Sequence, residues 1–252
     1  MTTPENVLYA STARPWLKYY AQKYIDQTLP TCSAFDYVCQ QNKNRLGEAA
    51  LNYYGRKFTY ADFIVNVKKT AAALRGVGVK KGDIITVVSV MTPEVIYAFY
   101  AADLIGATLN LVDPRYSVEG IRDYIEEVDS HLLICLNVVY ERCRQAAKRT
   151  HVERVIVLSP ADSLPFPLSV GYKMTSPIRT STNPTFCTGS SSWRRRGPEH
   201  RRGALRPQPR LRGGPHRAAP RLAKGVMLTD NSFNAIAQQF SAYDTLFQKG
   251  RS

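Results

Sequence analysis

One stretch constrains the fold of this chain more than any other. Lys80 to Pro114 reads KKGDIITVVSVMTPEVIYAFYAADLIGATLNLVDP. Ile84 to Val90 is a β-branched run entered through Gly82-Asp83. Thr92 can cap a helix whose first position is Pro93, where a missing N–H costs nothing. Val95, Ile96, Phe99, Ala102 and Ile105 fall at the spacing of one buried helical face. Gly106 permits a left-handed stop, and Thr108 to Val112 starts a second strand. Two strands bridged by a helix must run parallel, because a hairpin needs only a few residues.

The flanking sequence supplies more units of the same kind. Ala34 to Asn42 reads as a helix, and Ala49–Tyr54 with Arg56–Thr59 as a hairpin about Gly55. Thr59 begins a long helix with Asp62 as its capping partner and Phe63, Val67, Ala71 and Leu74 as its buried positions. Gly76 and Gly78 end it. Beyond Pro114, Ser117 caps a helix to Val128. Leu132–Leu136 is a strand, Tyr140–Lys148 a helix and Val155–Leu158 a strand. This alternation predicts an α/β protein with a partial, doubly wound parallel sheet and flanking helices. Trp16, Tyr19, Tyr20 and Tyr24 predict a short N-terminal helix packed on the main body. Ser159 to Asn183, rich in Pro, Ser and Thr, reads as a surface excursion.

Charge is unevenly placed. Ten of the 34 basic residues, all Arg, and one of the 20 acidic ones fall between Phe186 and Ala223, giving that segment +9 of the chain's +14. The rest is nearly balanced. The five cysteines are scattered, odd in number and without CxxC spacing, which argues against a disulfide framework or zinc site and for a reducing cytoplasm. His131, His151, His200 and His216 have no metal-ligand spacing. Glu126-Glu127 reads as a solvated helix face, and Cys32 and Cys39 as buried thiols rather than nucleophiles. The N-terminus lacks the pattern of a signal peptide. Val95–Val112 is long enough to suggest a membrane span, but Asp103, Gly106 and Asn110 interrupt it. No span is expected.

The order of these elements carries a resemblance. A helix ending in ALRGVGVKKGD, a strand, an MTPE turn, a helix running into IGATLNLVDP and a strand at LLIC resemble the N-terminal part of adenylate-forming enzymes, the AMP-binding acyl-CoA synthetases. It covers about Ser33 to Leu158 and resumes at Lys224 with KGVMLTDNSF. Lys224 and Gly225 fall on the Lys-Gly that closes the family's phosphate loop. The resemblance implies a two-step reaction of a small carboxylic acid with ATP, Mg²⁺ and CoA, through an acyl-adenylate to a thioester, in a cytoplasmic enzyme. It also implies that the adenine and ribose motifs, the hinge and the small C-terminal domain lie downstream of Ser252.

The phosphate loop departs from that pattern. A triphosphate needs many backbone N–H groups and hydroxyls at close approach, which only small residues permit. Before Lys224 the text is GGPHRAAPRLA, with no Ser or Thr. Ala204–Arg217 can be encoded so that reading one base later gives Pro-Tyr-Asp-Pro-Asn-Arg-Ala-Cys-Val-Val-Val-His-Thr-Gly, an apolar strand running into a Thr-Gly loop. The codons of Arg221–Ala223 likewise contain Gly-Ser-Pro in another frame. The expected organisation is therefore an α/β part over 1–185, an aberrant, out-of-frame Arg/Pro-rich segment over 186–223, and resumed family sequence over 224–252. A sheet strand is then lost, leaving an edge open to aggregation, and the chain as written is expected to be inactive. The rival reading is a non-catalytic α/β binding module whose basic loop contacts a polyanion such as nucleic acid. A single Trp (Trp193) and no helical periodicity in the segment favour a plain basic loop instead, so no nucleic-acid partner is expected.

Overall fold

The computed structural model describes residues 9–19, 22, 28–175, 186–188 (backbone) and 225–242. The chain divides into two compact units, 38–226 and the pair of segments 1–37 and 227–252.

The larger unit opens with a hairpin, β1 (Ala49–Tyr53) against β2 (Arg56–Thr59), with Tyr53 opposite Arg56. Tyr54 and Gly55 form its two-residue loop at φ +52° and +88°, the positive angles that match strand twist. Thr59 then caps α1 (Tyr60–Gly76). Its hydroxyl accepts from Asp62 N at 3.1 Å, and Asp62 Oδ2 accepts from Thr59 N at 3.1 Å, so two orphan donors are satisfied reciprocally. The buried residues of α1 are Phe63, Val67, Ala71 and Leu74, the four that the spacing predicts.

Five parallel strands follow: β3 (Ile84–Val88), β4 (Thr108–Val112), β5 (Leu132–Leu136), β6 (Arg154–Leu158) and β7 (Phe186–Thr188). Between them lie α2 (Pro93–Ile105), α3 (Val118–Glu127), α4 (Tyr140–Ala147) and α5 (Leu168–Thr175). The spatial order is β4-β3-β5-β6-β7. The chain thus moves to one side of β3 for β4, then crosses to the other side for β5. On one face, Val88, Leu133, Cys135, Val155 and Val157 pack with Ile121 and Ile125 of α3 and Tyr140, Cys143 and Ala146 of α4. Ile85, Val87, Ile134 and Ile156, at the alternate positions, are also buried. Burial on both faces explains why β5 is apolar throughout.

Three expectations change. The buried residues of α2 are Pro93, Val95, Tyr97, Ala98, Ala101, Ala102 and Ile105, while Ile96 and Phe99 are only half-buried. α2 packs against both α1 and β4, so it buries more than one stripe. The Ser159–Asn183 stretch is more ordered than its composition implies. Pro160–Asp162 forms a 3₁₀ turn, Leu168–Thr175 forms α5, and Ser159, Ala161 and Ser163 are buried. β6 also has a partner on its far side, because Val155–Val157 pair with Phe186–Thr188 at the start of the segment set apart as aberrant.

In the smaller unit, Ala10–Ala13 forms one helical turn and Pro15–Tyr19 a 3₁₀ turn with no buried residue. Trp16 and Tyr19 are exposed rather than packed; Tyr20 and Tyr24 lie outside the described residues. Ser33 Oγ accepts from Asp36 N at 3.1 Å at the start of the helix Ala34–Gln41. The helix Asp230–Ala242 buries Asn234, whose Nδ2 donates to the Cys32 carbonyl at 2.9 Å. Among the described residues no helix is long and apolar enough to cross a membrane.

Leu74 is fully buried at the end of the α1 seam. Leu74→Ala is expected to cost about 2–5 kcal/mol through lost transfer energy and the cavity left behind. The exposed Val65→Ala should stay within about 0.5 kcal/mol. Urea unfolding of both variants checks the difference.

Candidate functional site

Parallel strands carry all their C-terminal ends to one edge, and in an open α/β sheet the crevice opens where strand order reverses. Here that point lies between β3 and β5. Beside it, Ser89, Val90, Met91 and Val95 face Leu111, Val112, Asp113, Pro114 and Arg115 across an open groove of about 570 Å³. Its make-up follows from local chemistry. After β3 the chain turns through Ser89–Met91 and is stopped by Thr92, whose hydroxyl accepts from Val95 N at 3.5 Å and starts α2. After β4 it turns on Asp113, whose carboxylate accepts from Arg115 N at 2.8 Å and from the Arg115 guanidinium Nη2 at 2.6 Å.

These bonds set the electrostatics of the rim. The Arg115 guanidinium and backbone N–H hold the Asp113 carboxyl down at about 2, against an ordinary 3.8. Arg142 of α4 donates to the carbonyls of Pro114 (2.7 Å) and Tyr116 (3.3 Å), pinning the same loop from below. The Tyr124 hydroxyl donates to that of Tyr116 at 3.3 Å. Both arginines at the groove are therefore engaged, Arg115 by a carboxylate and Arg142 by carbonyls. The groove offers an apolar wall of Val90, Met91, Val95 and Leu111 with a polar lip.

A second polar cluster lies along the same edge. Glu94, in the first turn of α2, accepts through Oε1 from the Ser163 hydroxyl, while its Oε2 is buried without a hydrogen-bond partner. Burial pushes the Glu94 carboxyl up, opposed in part by Ser163. Tyr172 of α5 donates to Asn137 Oδ1 at 2.6 Å, just past β5, and Ser159 Oγ is buried without a partner just past β6. Sequence reasoning used Glu94 only as part of a turn. The signal available was position: MTPE, LNVV and LSPA each follow a strand of one parallel sheet.

The structure treats the sequence-derived candidates unequally. Lys224 lies outside the described residues, as do His200 and His216. Gly225 is exposed, and a side chain added there would meet no described atom within 4 Å. Glu126 and Glu127 are exposed, and Cys32 and Cys39 are half-buried. His131 and His151 stack with ring centroids 6.0 Å apart, each beside a carboxylate, Glu153 and Asp129 respectively. Among the described residues no group of three or more His, Cys, Asp or Glu side chains is arranged to hold a metal ion.

An open parallel sheet with a groove at the C-terminal ends of its strands, beside the switch point, is the setting in which α/β proteins bind ligands. Residues 38–183 match the family model of the AMP-binding enzymes, more than half of the chain, and the chain belongs to that family. It is similar to a long-chain-fatty-acid–CoA ligase of Bacillus subtilis, 23% identical over 163 residues that take in 64% of this chain and 29% of that protein. It is 31% identical over 140 residues to a 3-hydroxypropionyl-coenzyme A synthetase of Sulfurisphaera tokodaii, covering 53% of this chain and 21% of that one. The crystal structure of a long-chain-fatty-acid-CoA ligase from Archaeoglobus fulgidus shares the fold, with a TM-score of 0.50 at 19% identity, covering 54% of this chain and 30% of that chain. The chain spans less than a third of the length of each.

Two titrations test the edge. Because the folded-state value of Asp113 is depressed, its contribution to stability is present above the ordinary carboxyl value of 3.8 and is lost as pH falls toward about 2. Carboxyl ¹³C shifts should show Asp113 titrating near that value, and Arg115→Ala should return it to the ordinary range. Glu94 has the opposite sign. Its folded-state value is raised, so stability is full below 4.5 and falls as pH rises through the raised value. Thermal melts from about pH 4 to 8 should decline less steeply with pH for Glu94→Gln than for the native chain.

Proposed function

We propose that this chain is part of an AMP-forming carboxylic acid–CoA ligase. Such an enzyme activates a small carboxylic acid with ATP to an acyl-adenylate and pyrophosphate, then passes the acyl group to the CoA thiol. The observation that supports this most is the family match over residues 38–183, which ends where the Arg-rich text is about to begin. The similar proteins named as CoA ligases and synthetases point the same way. A cytoplasmic location is part of the same proposal.

Within that reading, Lys224 and Gly225 are the remnant of the phosphate loop. The segment 186–223 is out-of-frame text between the α/β part over 1–185 and the resumed family sequence over 224–252. The residues present do not fit a nucleotide triphosphate. GGPHRAAPRLA before Lys224 contributes no hydroxyl and sets bulky or Pro residues where close backbone approach is required. No residue cluster for Mg²⁺ is present among the described residues. We therefore assign no step of the adenylation to side chains of this chain, and we propose that the 252-residue polypeptide is itself inactive.

Two measurements bear on this. Sequencing the coding DNA from about the codon of Thr175 onward is expected to restore a Thr-Gly-rich loop before Lys224; bases that confirm the Arg-rich text would overturn the frame reading. ATP–pyrophosphate exchange with a panel of carboxylic acids is expected to be undetectable for the purified chain. It should appear in a full-length chain carrying the corrected loop. Exchange by the uncorrected chain would overturn the claim of inactivity.

A further inference from the structure

The core beneath the groove holds two thiols for which neither the site nor the proposed reaction has a use. Cys135 of β5 and Cys143 of α4 are both fully buried and belong to one side-chain cluster with Leu133, Val157 and Ile121. Both are free thiols, and the strand and the helix that carry them pack directly against each other within that cluster. The sequence hides this pairing, because their separation matches no thiol motif. It arises because β5 ends at Leu136, a 3₁₀ turn Asn137–Val139 reverses the chain, and α4 lies back over the strand it has just left.

We propose that Cys135 and Cys143 are a modification site that closes to an intrachain disulfide on exposure to a small two-electron oxidant, a diazene or a peroxide. With a diazene the step balances as follows. One thiol adds across the N=N bond, forming an S–N bond and placing its proton on the second nitrogen. The other sulfur attacks the first, the S–N bond breaks, and its proton goes to the departing nitrogen. Two S–H bonds are replaced by one S–S bond, and the diazene is reduced to a hydrazine.

Closure requires the two sulfurs to approach from their packed positions to about 2.05 Å. The neighbourhood can supply that movement. α4 has only eight residues, and no side chain caps its N-terminus. The barrier is access and ionisation. The neighbouring Cys143 and, after it, burial push the Cys135 thiol well above its ordinary value, and the thiolate is the reacting form. Oxidation therefore proceeds through local opening of α4 and is slow beside that of half-buried Cys32 and Cys39. Closure also reaches the groove. Arg142, the residue next to Cys143, carries the two hydrogen bonds that hold the loop at Pro114 and Tyr116.

The test uses the whole chain without substitution. Folded protein is treated with diazenedicarboxamide, the remaining thiols are alkylated in denaturant, and tryptic peptides are weighed. Trypsin cuts after Arg122, Arg142 and Arg144, so the bond would join the peptide 123–142 to the dipeptide 143–144. The expected product is that joined species, lighter than its parts by two hydrogens and separated by dithiothreitol. It should be absent from Cys143→Ala treated in the same way. Recovery of Cys135 and Cys143 fully alkylated after Cys32 or Cys39 has been consumed would overturn the proposal. So would a bond that forms in urea but not in the folded chain, since nearness along the sequence would then be its cause.

Discussion

Everything in the larger unit depends on β3 being paired on both sides, in register with β4 from Ile84–Thr108 to Val88–Val112 and with β5 from Ile85–Leu132 to Val88–Cys135. Parallel pairing cannot be made locally, so each pairing commits a crossover helix, α2 for one and α3 for the other. The β3–β5 junction is fixed by a buried hydroxyl. Ser130 Oγ accepts from Thr86 N at 3.0 Å and lies within hydrogen-bonding distance of the carbonyls of Ile84 and Leu132. Asn110 supports the other side, donating to Thr86 Oγ1 at 3.3 Å and to the Tyr124 carbonyl at 3.2 Å. Polar groups thus set the register of strands whose apolar faces would tolerate slippage. The groove follows from that register, because it exists only where the ends of β3 and β4 lie level.

Much of this was legible in the sequence because local and long-range signals agree. Thr59 with Asp62, Thr92 with Pro93 and Ser117 each mark a helix start, and each caps the helix it was expected to cap. Gly106 ends α2 in the left-handed conformation that its position implied. The failures occur where tertiary contacts decide. No periodicity announces that α2 will be covered on more than one side. Nor does Pro-, Ser- and Thr-rich composition announce that Ser163 will meet Glu94, 69 residues earlier in the chain.

The site was legible only as an edge. Topology places the strand ends together, but which side chains meet there depends on loop geometry, as in the closure of Asp113 on Arg115. Lys224 and Gly225, the proposed remnant of a phosphate loop, were read from a motif instead, and the text before Lys224 holds no Ser or Thr. Fold and chemistry therefore separate within one chain. Helix caps and strand patterning hold through Leu158, whereas a phosphate cradle of the kind the resemblance implies needs an unbroken run of small residues, which the text before Lys224 does not supply.

The hydrogen bond from Asn234 to the carbonyl of Cys32 joins residues 202 positions apart. Its consequence lies in synthesis. Chain growth at roughly 5–20 residues per second puts on the order of 10–40 s between the emergence of the two partners. During that interval the larger unit can form while the Cys32 segment waits without its partner. The early segment therefore completes its packing only after the whole sheet of the larger unit has been synthesised.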